Sequence, residues 1–219
     1  VKEHVVGKTS WGLVAWVVAA SAGGAAAADK GTALFNGHDL TGWTHVGDGR
    51  FVLENGLLKT EGGMGLLYYT PRKLGRETLR VVYRTAAPTS NAGVFIRIPD
   101  APTEAWMPVN RGYEVQIDDS GDEHHVTGTL YSLTTALARA GKPRQWNTLE
   151  ITLDGPRTLV TLNGVRVTDF SEGQPVPRKV QWYEPNRGRR PEEGYIGLQN
   201  HGDRDTVFFK EISVRPLAH

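Results

Sequence analysis

The stretch GYEVQIDD, residues 112–119, alternates between two kinds of side chain. Tyr113, Val115 and Ile117 fall on one side of an extended chain, and Glu114, Gln116 and Asp118 on the other. That is the pattern of a half-buried β-strand. Its polar side is unusual, because it carries only carboxylates and a carboxamide with no cation among them. A face of this kind asks for a role beyond solubility.

Outward from this strand, short alternating runs recur at close spacing. They include FVLENGLLKTEG (51–62), ETLRVVYRTA (77–86), AGVFIRIP (92–99) and GTLYSL (128–133). WNTLEITLDG (146–155), RTLVTLNGVRVTDF (157–170), GYIGLQNHG (194–202) and VFFKEISVRPL (207–217) continue the series. Asn55-Gly56 and Asn163-Gly164 each sit between apolar runs and predict tight hairpins. Many strands, glycine at most turns and few helical patterns predict an all-β protein, a single β-sandwich or barrel. APTEAWMPVNR (101–111) and YEPNRGRRPEE (183–193) read as long loops inside that domain, either solvated surface or the rim of a ligand site.

Lysine and arginine number 25 against 24 aspartates and glutamates, so no broad field favours nucleic acid or acidic lipid. The absence of cysteine removes disulfides, thiolate metal sites and a cysteine nucleophile. In residues 1–28, Lys2 and Lys8 precede an apolar run, WGLVAWVVAASAGG, that is followed by AAAADK. A charged start, an apolar segment too short for a comfortable span and Ala-x-Ala at 26–28 predict a secretory signal. The expectation is therefore a mature domain over 29–219, close to neutral, periplasmic or secreted, with no membrane contact after cleavage.

The parity argument extends to two further strands. In SNAGVFIRIP (90–99), Val94, Ile96 and Ile98 share one face, leaving Gly93, Phe95 and Arg97 on the other. In GYIGLQNHG, Ile196 and Leu198 turn to the core, and Gly197, Gln199 and His201 turn away. If the three strands are neighbours, one hollow collects Arg97, Glu114, Gln116, Asp118, Gln199 and His201. Donors and acceptors so mixed suit a polyhydroxylated ligand, and the interleaved glycines would let it approach the backbone. Glu114 and Asp118 stand four residues apart on one strand, roughly 13 Å between Cα atoms. That is wide for the paired carboxyls of an ordinary glycosidase.

In order along the chain, LFNGHDLTGW (34–43), SNAGVFIR (90–97), GYEVQIDD, TGTLY (127–131), QWNTLEITLDG (145–155), LNGVRV (162–167) and GYIGLQNHG occur before VFFKEISVRPL. In these motifs the sequence resembles the 3-keto-disaccharide hydrolase domain family over nearly the whole mature chain. The resemblance implies a concanavalin-like jelly roll, export, and cleavage of glycosides already oxidised to a ketone at C3. Such a ketone acidifies the hydrogen on C2, so a base can form an enolate that expels the group at C1, and water can add afterwards.

The residues for that chemistry are Glu114 or His201 as base, Arg97 or a divalent metal at the enolate oxygen, and Asp118 orienting or supplying a proton. Gln116, Gln199, Asn91, Tyr131 and Trp106 are expected to bind substrate. Glu114, Asp118 and His201 are the candidate metal ligands. The expected partner is a small 3-keto-glycoside made by a separate sugar oxidoreductase. A noncatalytic carbohydrate-binding module and a conventional glycoside hydrolase are the alternatives. Trp43 and Trp146 are expected to be packing residues, and His124 and His125 surface ones.

Overall fold

The computed structural model describes residues 1–2 and 31–218. Apart from Val1 and Lys2, the expected signal segment lies outside the described residues. No described helix is long and apolar enough to cross a membrane. The described chain forms β1 (Thr32–Ala33), β2 (Trp43–Gly47), β3 (Arg50–Glu54), β4 (Leu57–Glu61), β5 (Gly65–Tyr69), β6 (Glu77–Thr85) and β7 (Ala92–Ile98). There follow α1 (Met107–Arg111), β8 (Tyr113–Ile117), β9 (Asn147–Asp154), β10 (Arg157–Leu162), β11 (Val165–Ser171), β12 (Tyr195–Asn200) and β13 (Val207–Pro216).

These strands make two antiparallel sheets, the layers of a jelly-roll sandwich. The larger runs β11-β10-β9-β6-β13-β4-β3, with β1 beside β13; the smaller runs β2-β5-β12-β7-β8. Both predicted hairpins are present. Asn55-Gly56 joins β3 to β4 and Asn163-Gly164 joins β10 to β11, with φ of 53° and 77° in the first and 53° and 81° in the second. Such left-handed pairs match the strand twist and suit Asn-Gly. The core lies between the layers, where β9 contributes Leu149, Ile151 and Leu153 and β8 contributes Tyr113, Val115 and Ile117.

Two expectations are corrected. GTLYSL is not a strand: Leu130 makes one isolated bridge to Val115, and the segment bends at Gly128 (φ 92°) and Ser132 (φ 58°). The expected 101–111 loop ends in the short helix α1, opened by Pro108, which needs no backbone donor in a first turn.

Strands β7 and β8 of the smaller sheet are buried along their whole length. The outer face of that sheet carries a second apolar cluster of Leu66, Tyr68, Phe95 and Ile98, roofed by Ala105, Met107 and Val109. Ile98 reaches that face because β7 contains a bulge. Tyr195 pairs with Ile98 and Gly197 with Phe95, so Ile96 and Arg97 together oppose Ile196. The extra residue, Arg97, adopts φ 54° and reverses the alternation.

Arg97 therefore leaves the face on which parity placed it. Its fully buried guanidinium crosses to the larger sheet, donating to Thr158 Oγ1 and to the carbonyls of Gly155, Arg157 and Pro191 at 2.8–3.2 Å. It fastens the two layers and is not a site residue. Arg97→Met strands these acceptors, and we expect it to cost about 3 kcal/mol in chemical denaturation.

Candidate active site

Three adjacent strands, β8, β7 and β12, set the floor of a pocket on the outer face of the smaller sheet. Their register aligns Gln116 with Gly93 and Gly93 with Gln199, and Glu114 with Phe95. Side chains two residues apart on each strand therefore emerge in rows on this face. A cavity of about 320 Å³, open to solvent, is lined by Asn91, Trp106, Val109, Glu114, Gln116, Tyr131, Gln199 and His201. The structure thus brings together seven of the nine residues proposed from the sequence.

Glu114 is the centre. Its side chain is 6% exposed and folds sideways over Gly93, where an added Cβ would stand 2.5 Å from its Oε1. Gly93 accordingly makes room for Glu114, and Gly197 for Leu66, rather than opening the backbone to a ligand. Burial pushes the Glu114 carboxyl up to about 8, opposed only by a hydrogen bond from Gln199. At neutral pH it is largely a protonated acid.

Two amides flank it. Gln116 donates to Asn91 Oδ1 at 3.0 Å, and the carbonyl oxygens of Gln116 and Gln199 are buried without a hydrogen-bond partner. Buried acceptors left open in this way are sites for hydroxyl donors. Tyr131 stands at the wall, where its backbone N–H pairs with the Glu114 carbonyl. Burial, then the neighbouring Glu114 charge, pushes its hydroxyl up to about 12, so it stays a donor at neutral pH.

His201 closes the opposite rim and is held by a residue that the sequence reading missed. Asp205 Oδ2 lies 2.8 Å from His201 Nδ1, while Asp205 Oδ1 accepts the Asn91 backbone N–H at 2.9 Å. A carboxylate only accepts, so Nδ1 carries a proton, and in the neutral ring Nε2 is the atom that keeps its lone pair. Val109, the other missed residue, supplies an apolar wall from α1.

Asp118 is not in the pocket. β8 ends at Ile117, and Asp118 opens a turn in which its Oδ1 accepts the Ser120 N–H at 2.8 Å and the Ser120 hydroxyl at 2.7 Å. The proposed Glu114–Asp118–His201 metal set is therefore not assembled. Among the described residues no group of three or more His, Asp or Glu side chains could hold a metal ion. Trp43 is a packing residue, 8% exposed and donating to the Leu34 carbonyl, and Trp146 lies beneath the cations of Arg84 and Lys210.

Residues 30–215 match the 3-keto-alpha-glucoside-1,2-lyase-like domain. The chain belongs to that family. Membership of the lyase-like family makes its role carbohydrate-related. No curated protein matches the sequence. Among solved structures, a protein from Parabacteroides distasonis described as a candidate glycosyl hydrolase is 23% identical, with a TM-score of 0.67 over 85% of this chain and 98% of its own. A carbohydrate-binding module, CBM66, from Bacillus subtilis is 14% identical, with a TM-score of 0.54 over 80% of this chain and 95% of its own. A B. subtilis protein of galectin-like fold is 10% identical, with a TM-score of 0.59 over 85% and 96%. These likenesses agree on the sandwich.

The carboxyl of Glu114 carries a stability consequence. Its folded pKa is about 8 against an ordinary 4.5, so its contribution is complete below about 4.5 and is lost as pH rises through about 8. Glu114→Gln cannot ionise. Its melting temperature relative to the unsubstituted lyase-like domain should rise from pH 5 to about pH 8 and level off above that, and a difference independent of pH would refute the burial argument.

Proposed function

We propose that this chain is an exported enzyme that cleaves 3-keto-glycosides by 1,2-elimination, followed by hydration of the unsaturated sugar. The observation that supports this reading most is the presence, in one pocket, of a buried carboxyl held protonated and an imidazole anchored through Nδ1 to Asp205, with Nε2 left to take up a proton. Two titratable groups with environments this different divide naturally into an acid and a base.

In this scheme His201 Nε2 removes the hydrogen from C2, which the C3 ketone has acidified, and Asp205 stabilises the imidazolium that results. The electron pair of the broken C2–H bond becomes the C1=C2 bond as the C1–O bond breaks. Glu114 gives its proton to the departing oxygen, which leaves as an alcohol. Tyr131 and the Asn91 amide can donate to the C3 oxygen while it carries enolate charge. The open carbonyls of Gln116 and Gln199 accept sugar hydroxyls. Water then adds across C1=C2, restoring a 3-keto sugar. With Asp118 outside the pocket, the proton donor falls to Glu114, and the base to His201.

The ketone must come from oxidation of a C3 hydroxyl, so the activity depends on a separate sugar oxidoreductase. The test is to present a glucoside and its 3-keto form to the purified protein. The 3-keto form alone should be consumed. Glu114→Gln and His201→Ala should each lower turnover by about 10²- to 10⁴-fold. Turnover should fall as pH rises through about 8, because the acid is then ionised. Cleavage of the unoxidised glucoside at the same rate, or an undiminished Glu114→Gln variant, would overturn the scheme. Binding without turnover of either compound would point to a recognition module.

A further inference from the structure

Resting on the reading just given, we infer that the rim of the pocket carries an aromatic subsite for a planar, aryl leaving group, formed by Trp106, Trp182 and Tyr183. Trp106 belongs both to the pocket lining and to this group. Its ring centroid lies 6.3 Å from that of Trp182, which lies 5.6 Å from that of Tyr183.

The three rings are exposed by 42%, 79% and 42% in chain order. Tryptophan is rarely left in water, and an exposed aromatic patch continuous with a pocket marks a place where ligand covers it. By contrast, Trp146, also at the surface, is already covered by two cations.

The segment carrying Trp182 and Tyr183 is fastened to the sandwich. Arg190 donates to the carbonyls of Asn110 and Gly112, and Arg187 to that of Ser132. Glu184 accepts from Arg187 and from the backbone N–H groups of Val180 and Gln181. The loop's basic centre is thus a clamp that holds the rings in place before ligand arrives, which reduces the ordering cost of binding. The same hydrogen bonds occupy these polar side chains. A second sugar on the rings would find its hydroxyls poorly matched here, whereas a flat aryl group asks only for ring faces and edges.

The test compares Trp182→Ala and Trp182→Phe with the unsubstituted protein on three substrates: 4-nitrophenyl 3-keto-glucoside, methyl 3-keto-glucoside and a 3-keto-disaccharide. The alanine variant should raise KM for the nitrophenyl substrate by roughly 10-fold with kcat unchanged. The phenylalanine variant should recover most of that loss, and the other two substrates should not respond. An equal effect on all three, no effect on any, or a loss confined to the disaccharide would overturn the aryl assignment. If no substrate turns over, the enzymatic reading fails. Calorimetric binding of unoxidised 4-nitrophenyl glucoside then decides the subsite alone: weaker binding by Trp182→Ala supports it, and equal binding refutes it.

Discussion

The bulge at Arg97 is the constraint on which the site depends. One residue inserted into β7 turns a guanidinium into the seam between the layers and sends Ile98 to the opposite face. Ile98 then seats Ala105, Met107 and Val109, the apolar roof that carries α1. From that roof Val109 and Trp106 descend to wall the pocket. Satisfying a buried guanidinium requires several acceptors at once, and here carbonyls of the β9–β10 turn and of Pro191 provide them. The same contacts thereby position the loops around the ligand.

The second determinant is a carboxyl buried with amides instead of cations. A guanidinium beside Glu114 would hold it ionised; Gln199 does so only weakly, and desolvation wins. The result is an acid available at neutral pH, at the expense of stability whenever the group ionises. Asn91, Gln116 and Asp205 join in a hydrogen-bonded line that runs from the floor to the His201 rim. Glu114 stands outside that line and is held by Gln199 instead.

Most of the fold and the floor of the site were legible in the sequence, because period-two alternation survives wherever a strand is regular. Glu114, Gln116 and Gln199 followed directly. Arg97 did not, since an inserted residue leaves no mark on composition and flips every position beyond it. Asp118 was misplaced for a different reason: its own surroundings, DDSG at 118–121, carry a turn signal that outweighs one more alternating position. Asp205 lies in the turn HGDRDT at 201–206, where an acid is ordinary until an imidazole is found against it. The meeting of Trp106 with Trp182 joins loops 76 residues apart in number, and no local pattern encodes such a contact.

The irregular run that replaced the expected strand at 128–133 has a consequence of its own. Its backbone occupies the free border of β8: Gln116 N–H bonds to the Thr129 carbonyl, Gly128 N–H to that of Gln116, and Tyr131 N–H to that of Glu114. An uncovered border would be a template for another chain's strand. By sheathing it with a bent segment that cannot itself extend the sheet, the molecule guards against polymerisation with the very residues that hold Tyr131 beside the acid. Fraying there would loosen the pocket wall and invite association in a single event.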